Sequence, residues 1–255
     1  MKPLFTAFLF LSLPLSGATV ILSPSADATL YGPPSEAIAD GAGDWFFAGV
    51  NADGNIRRAL LEFDTSLIPA GSVISAVELR LVVDRGRLFP SPLTAQRVTA
   101  SWNEGITNAS GREGQGSPAQ GGDVTWAFRE LGGSAWSTPG GDFAPAESAA
   151  AQVTGAGVVT LSGPGLVSDV QLWLADPSQN HGWIIRVVEY LTQTANRIIS
   201  RTNPLAGSRP QLTVTYSPVP EPGIPILLLT AAGFSAFRRQ RFPRDVRIKK
   251  ERAAR

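Results

Sequence analysis

The sequence contains no cysteine, and its single histidine is His181. Without cysteine the chain has no disulfide, no thiolate metal site and no cysteine nucleophile. A catalytic zinc site usually needs several His or Cys ligands. A Ser–His–Asp triad needs a histidine with a serine on one side and a carboxylate on the other. The chain also lacks the phosphate-binding Gly-x-x-x-x-Gly-Lys-Ser/Thr motif and the Gly-x-Ser-x-Gly nucleophile motif. These absences predict that the protein is not an enzyme and that His181 is a turn residue.

Charge is unevenly distributed along the chain. Residues 19–222 contain twelve arginines, no lysine and nineteen acidic residues, which gives a net charge of −7. Residues 238–255 contain nine Lys or Arg residues and only two acids. An acidic body argues against nucleic-acid binding, and the basic C-terminal segment is typical of a cytoplasmic anchor.

The N-terminal segment has the pattern of a secretory signal peptide. Lys2 precedes an apolar run over residues 4–15, and the small residues Ser-Gly-Ala end the pattern at Ala18. A positive start, a short apolar run and small residues before the cleavage point define this signal. We predict cleavage after Ala18, which removes residues 1–18 and starts the mature chain at Thr19. A buried first strand or helix is the alternative.

The other end of the chain has the pattern of a short membrane span. The uncharged residues 223–237 would rise roughly 22 Å as a helix, less than the ~30 Å hydrocarbon core of a bilayer. Bilayer thinning or flanking residues can make up the difference. The arginines that follow act as a cytoplasmic stop by the positive-inside rule. Hydropathy alone leaves a membrane span and a buried helix equally open.

Three features around this segment resemble the PEP-CTERM sorting signal of Gram-negative bacteria. They are the tripeptide Pro220, Glu221 and Pro222, the apolar segment, and the arginines Arg238, Arg239 and Arg241. The resemblance covers residues 218–241 and implies that a membrane-embedded exosortase recognises the tripeptide and is expected to cut there. It therefore implies an exported protein with a transient membrane anchor, destined for the cell surface or the extracellular matrix. Unlike the family, this chain continues as a basic tail over residues 242–255.

Short β-branched runs separated by Gly and Pro predict an all-β domain over residues 19–217. The clearest strand is residues 73–83, where every second residue from Val77 to Val83 is apolar and faces a core. The other predicted strands are residues 45–50, 59–63, 97–102, 124–128, 158–161, 183–188 and 211–216.

Two local signals complete this prediction. Asp53 and Gly54 predict a hairpin turn between the strands over residues 45–50 and 59–63. Apolar residues at helical spacing predict one short helix over residues 168–175. We therefore expect a jelly-roll-like two-sheet sandwich, flanked by an N-terminal signal peptide and a C-terminal apolar helix.

The middle region resembles the DNRLRE domain, which is related to carbohydrate-binding modules with a jelly-roll fold. The segments that carry the resemblance are residues 57–64, 68–71, 75–79, 98–104, 122–126, 140–143, 169–173, 180–183 and 209–212, together with Trp136. They follow the family order along nearly the whole body, although the hexapeptide that names the family is absent. The resemblance implies a jelly roll with a structural or binding role in extracellular polysaccharide.

A structural calcium ion is the cofactor that an acidic exported body favours, because hard cations take carboxylate and carbonyl oxygens as ligands. The family pattern implies Asp27 and Asp142 as its ligands. Ordinary turn aspartates are the alternative.

The six tryptophans offer rings that can stack on sugars, although large aromatic residues more often fill a core. We expect most of them in the core. Trp136 lies among Gly, Ser and Pro residues, and we expect it to be exposed and available to a sugar.

Three functional hypotheses remain. The first is an exported envelope or matrix protein, processed by exosortase, with a non-catalytic structural or adhesive domain. The second is a carbohydrate-binding module that recognises a polysaccharide, and sugar affinity distinguishes it from the first. The third is a glycan hydrolase with a carboxylate pair such as Glu104 and Asp142, which measurable glycan turnover would indicate.

Overall fold

The computed structural model describes residues 17–35 and 37–218. The strands are β1 (Ala18–Leu22), β2 (Pro24–Tyr31), β3 (Ile38–Ala39), β4 (Trp45–Val50), β5 (Ile56–Phe63), β6 (Val73–Arg85), β7 (Ser91–Val98), β8 (Ser117–Pro118), β9 (Phe143–Val153), β10 (Gly157–Ser162), β11 (Trp183–Val187), β12 (Asn196–Ile199) and β13 (Gln211–Ser217). The helices are α1 (Pro164–Ala175) and the short 3-10 segments Pro177–Gln179 and Ala206–Ser208. The described protein is therefore all-β, as the sequence predicts.

Most of the predicted sorting signals lie outside the described residues. These are the signal peptide up to residue 16, the tripeptide at 220–222, the apolar segment with its arginines, and the basic tail. Ala18 and Thr19, which flank the predicted cleavage point, lie in β1. Within residues 17–35 and 37–218, no helix has the length and apolar character needed to cross a bilayer.

Eleven of the described strands form one large antiparallel sheet that curls into two halves. In the first half β13 pairs with β1 and β6, β6 also pairs with β10 and β12, and β12 pairs with β4. In the second half β5 pairs with β2, β4 and β11, β11 pairs with β7, and β7 pairs with β9. Strands β3 and β8 form a separate two-stranded ladder.

Strand β4 belongs to both halves and forms the corner between them. Its first residues pair with β12, whereas Gly49 and Val50 pair with β5. Gly49 has a φ of 115°, which residues with a side chain rarely adopt. A side chain at this position would also collide with the carbonyl oxygen of Thr194. The glycine therefore allows the chain to pass from one half of the sheet to the other.

The main hydrophobic core lies between the two halves. The alternation predicted for β6 is confirmed, since Val77 and Leu79 are buried while Glu78 is exposed. Helix α1 contributes Trp173 to this core, where its ring lies 4.5 Å from that of Trp183 in β11, measured between centroids. Most of the tryptophans are buried, as expected: Trp126, Trp136, Trp173 and Trp183.

A second, smaller core covers the outer face of the second half. Leu61 and Ile185 face the main core, whereas their neighbours Leu60 and Ile184 face outward. The long segment 99–142 packs over these outward side chains. The residues of this second core are Ala28, Leu30, Leu60, Val98, Val124, Trp126, Trp136 and Ile184. In this half of the sheet, side chains on both faces are therefore buried.

Two predicted strands are wrong. The strand expected over residues 97–102 is β7, which starts six residues earlier at Ser91 and ends at Val98. Residues 124–128 form a tight turn in which the Thr125 amide donates to the Phe128 carbonyl at 2.8 Å. Their β-type pairing is limited to one isolated bridge between Phe128 and Ala135. Their apolar side chains fill the second core, and this packing produces the apolar run that resembled a strand.

The remaining local predictions are confirmed with small shifts. The hairpin between β4 and β5 forms at Asn51, whose side-chain oxygen accepts hydrogen bonds from the amides of Asp53 and Asn55 at 3.0 and 2.8 Å. Helix α1 begins at Pro164, four residues before the predicted start, because a proline is favourable in the first helical turn. Strands β1, β2, β3, β8, β9 and β12 were not predicted.

Candidate binding groove

A groove of about 780 Å³ lies on the outer face of the first half, near the corner. Its floor is formed by β4, β12 and the end of β6. Arg197 of β12 is the cross-strand neighbour of Phe47 on one side and of Arg85 on the other. Trp45 and Phe47 are partly exposed, whereas the alternate residues Phe46 and Ala48 are buried. Strand alternation thus presents two aromatic rings and two arginines to the same surface.

One wall of the groove is the loop 111–115. The Glu113 carboxylate accepts a hydrogen bond from the Trp45 amide at 2.8 Å, and its backbone carbonyl accepts one from the Tyr31 hydroxyl. Arg57 donates to the Gly114 carbonyl at 3.5 Å. These contacts attach the loop to β2, β4 and β5. We call the resulting site the arginine groove, lined by Trp45, Phe47, Asn51, Arg57, Arg85, Arg112, Glu113 and Arg197.

The arginine groove is lined by more basic than acidic side chains. Four arginines line it against one acid, Glu113, whose pKa is raised by burial. The guanidinium of Arg197 lies 4.5 Å from the centroid of the Trp45 ring and forms an ion pair with Asp84. Burial lowers the pKa of Arg57, whose guanidinium donates to the carbonyls of Ile56 and Gly114.

Hydrogen-bond donors without acceptors are concentrated in the same place. In the described part of the chain, seven buried polar side-chain atoms have no hydrogen-bond partner. Three of them are donors of groove residues: Trp45 Nε1, Arg57 Nε and Arg197 Nε. A buried donor without a partner costs about 1–3 kcal/mol. These three atoms are themselves buried, so they are a local cost within the groove wall and lie out of reach of a ligand on its surface.

Asp27, a predicted calcium ligand, lies in β2 beside Glu104 and Arg201. Its carboxylate accepts a hydrogen bond from the Arg201 amide at 2.6 Å, and its own amide donates to the Glu104 carboxylate at 2.8 Å. Burial raises the pKa of Asp27 to about 7. Glu104 also binds the Arg201 guanidinium with both carboxylate oxygens. Arg201 thus provides the positive charge beside these two acids.

Asp142, the other predicted ligand, caps its own loop. Its two carboxylate oxygens accept hydrogen bonds from the amides of Ser137 and Thr138 at 2.8 and 2.9 Å. Across residues 17–35 and 37–218, no group of three or more His, Cys, Asp or Glu side chains is arranged to hold a metal ion. Calcium binding by Asp27 and Asp142 stays a prediction. Glu104 and Asp142, the acids of the hydrolase hypothesis, have separate sets of protein partners.

The expected exposure of Trp136 is wrong. Only 4% of its surface is accessible, and its Nε1 donates to the Thr125 carbonyl at 3.0 Å. The ring belongs to the second core, because the segment 99–142 folds back over the outer face of β5 and β11. A buried ring cannot stack on a sugar, so Trp136 is not part of the candidate site.

His181 lies in the predicted turn before β11, and its backbone carbonyl accepts a hydrogen bond from Trp102 Nε1 at 3.0 Å. Burial lowers its pKa, and the nearby cations Arg129 and Arg97 lower it further.

Sequence reasoning did not find the arginine groove. The alternation of Trp45 and Phe47 with buried neighbours was the available signal, because it marks an aromatic outer face on a predicted strand. Its arginines come from positions 57, 85, 112 and 197, and their proximity depends on the strand register.

Comparison with known proteins finds no family model that matches the chain and no curated protein that is similar to it.

Proposed function

We propose that this is an exported, non-catalytic adhesive protein of the bacterial envelope or extracellular matrix, and that the arginine groove binds an acidic polysaccharide. The observation that carries the proposal is the stacked pair of Trp45 and Arg197 on an open surface. The Trp45 ring offers an apolar face to the C–H groups of a sugar. The Arg197 guanidinium, which lies over this ring and pairs with Asp84 through Nη2, can donate a further charge-assisted hydrogen bond to a carboxylate or sulfate through Nη1.

The charge distribution supports an acidic ligand over a neutral one. The body carries a net charge of −7, which repels polyanions from most of its surface. The four arginines of the groove form a local exception to this.

The family assignments are part of the same proposal. We propose that the curled sheet is a jelly roll of the DNRLRE type and that residues 218–241 act as a PEP-CTERM signal for exosortase. The chain leaves the described body at Pro218, next to the end of β13 at Ser217, which pairs with Val73 at the start of β6. The groove residue Arg85 lies at the other end of β6. The point where the chain leaves the described body therefore lies at the opposite end of β6 from the groove.

Binding is tested by titrating the full chain with polygalacturonate and with pullulan, a neutral polymer, while heat is recorded. We expect binding of the acidic polymer only. Arg197→Ala removes a charge-assisted hydrogen bond worth about 1.5–3 kcal/mol, so affinity is expected to fall roughly 10- to 100-fold. Arg197→Lys keeps the charge but not the planar fork, and we expect an intermediate loss.

Arg80→Ala is the matched control, because Arg80 lies on β6 outside the groove and makes one long hydrogen bond to Gly207 at 3.4 Å. It removes the same charge and should leave affinity unchanged. Equal losses from Arg197→Ala and Arg80→Ala would show that the polymer responds to total charge and not to the groove. Absence of any heat with acidic polymers would remove the proposed ligand class.

A further inference from the structure

Two loops at the end of β6 expose an apolar surface next to the arginine groove. Leu88 and Phe89 in the loop after β6 have 82% and 66% of their surface accessible. Tyr190 and Leu191 in the loop after β11 have 84% and 52% accessible. We call these four residues the tip patch. Exposed apolar groups that lie together are characteristic of interaction sites.

The two loops are joined to each other. The Arg87 guanidinium donates to the Thr192 carbonyl at 3.2 Å and lies 5.0 Å from the centroid of the Phe89 ring. Arg87 therefore holds the Phe89 side of the patch against the loop that carries Tyr190.

The tip patch also lies close to the groove. The Gln193 amide donates to the carbonyl of Asn51, a groove residue, at 3.1 Å, and Gln193 has a positive φ of 60°. On the other side, Phe89 follows the groove residue Arg85 by four positions, which span at most about 14 Å of extended chain. Phe89 and Gln193 thus place the two loops of the tip patch close to the groove residues Arg85 and Asn51.

An arginine lies over an aromatic ring both in the groove and in the tip patch. Arg197 lies over Trp45 in the groove, and Arg87 lies over Phe89 in the tip patch. A ligand that repeats the same chemical group along its length can contact both units, whereas a single sugar can contact only one. This repetition favours an acidic polymer as the occupant of the tip patch.

We propose that the tip patch extends the arginine groove, so that the protein binds the interior of a long acidic polysaccharide chain and not its end. Phe89 and Tyr190 serve as stacking surfaces for sugar units that lie beyond the groove. This inference rests on the proposed function of the groove. It adds that affinity depends on chain length and that the tip patch is the cause of this dependence.

The test measures the affinity of the full chain for short and long oligogalacturonates, of three and of about twelve units. We expect the long oligomer to bind about tenfold more tightly than the short one, because two further rings contribute. In the double variant Phe89→Ala/Tyr190→Ala, the short oligomer should keep its affinity and the long one should lose this advantage. Leu205→Ala, which truncates an exposed apolar residue elsewhere, is the control and should change neither value.

The outcomes separate this inference from the proposed function. If neither oligomer binds the unaltered protein, the groove proposal fails and this inference fails with it. If both bind and the double variant is unchanged, the groove stands and the tip-patch extension is overturned. Equal losses for both oligomers would also overturn it, since the rings would then support the groove itself. Binding to anionic lipid vesicles that the double variant abolishes, without any length dependence for sugars, would overturn it in favour of a membrane contact.

Discussion

Ala18 pairs directly with Tyr216, so the first and last strands of the described body are neighbours. Tyr216 pairs in turn with Ile74, near the start of β6. Both ends of the body therefore lie at one end of β6, and Arg85 of the arginine groove lies at the other. The thirteen residues of this strand extend about 40 Å.

The first prediction concerns the point where the predicted signal peptide is cleaved, which lies in β1. We expect the secreted protein to begin at Thr19, because cleavage after Ala18 leaves four of the five pairs between β1 and β13 in place. Ala18→Leu should block processing, since the cleavage site requires a small residue at this position. Ile21→Leu alters an exposed residue of the same strand and should be processed normally. Mass spectrometry of the N-terminus in cell fractions measures both, and an exported protein that retains Met1 would contradict the prediction.

Buried acids predict an unusual dependence of stability on pH. Burial raises the pKa values of Asp27, Asp40 and Glu62 to about 7. A carboxyl with a raised folded-state pKa holds its proton more tightly when folded, so its stabilising contribution is present below its unfolded pKa of about 4 and is lost as pH rises towards 7. We expect the free energy of unfolding to decrease between pH 4 and pH 7. Urea unfolding at several pH values measures this.

Asp27→Asn isolates one of these groups. Asparagine can still accept the hydrogen bond from the Arg201 amide, but it has no charge to bury. We expect the variant to match the unaltered protein at pH 4 and to exceed its stability at pH 8, by about 4 kcal/mol at most. Glu130→Gln changes an exposed acid and serves as control. A variant that is less stable than the unaltered protein at pH 8 would show that the Asp27 charge is favourable beside Arg201.

Gly49 and Gly54 provide a matched pair at the corner of the sheet. Both have positive φ values, of 115° and 86°. An alanine Cβ at position 54 would meet no atom within 4 Å, whereas at position 49 it would collide with the Thr194 carbonyl. We expect Gly54→Ala to cost about 1 kcal/mol and Gly49→Ala to cost clearly more. Thermal unfolding of both variants tests this, and equal losses would mean that the corner relaxes easily.

Trp173 and Trp183 lie against each other in the core but differ in hydrogen bonding. Trp183 Nε1 donates to the Asp169 carboxylate at 2.8 Å, whereas Trp173 Nε1 has no partner. Substitution by phenylalanine removes similar volume from both sites. We therefore expect Trp183→Phe to destabilise the protein by about 1–3 kcal/mol more than Trp173→Phe, because a partly buried carboxylate loses a donor. Chemical denaturation of the two variants measures the difference, and a larger loss at Trp173 would contradict it.

The strands that could be predicted are those whose own residues show alternation or a β-branched apolar run. Residues 73–83 alternate between apolar and other side chains, and β6 buries the apolar set. Strand β9 could not be predicted in this way, because Phe143–Val153 is rich in alanine, which has little intrinsic preference for strands. It forms by pairing with β7 along most of its length. Its strand conformation depends on that partner.

The sequence by itself determined the β-rich composition, the absence of cysteine chemistry and the local period of the clearest strands, because these properties belong to neighbouring residues. Tertiary structure alone decided which aromatic rings are exposed. Trp136 sits in a Gly-rich segment yet is buried, since that segment folds over the sheet, whereas Trp45 in a regular strand borders an open groove. The meeting of Arg57, Arg85, Arg112 and Arg197 likewise required strand pairing between distant parts of the chain. Exposure and local charge depend on what packs from elsewhere, and a local pattern does not contain that information.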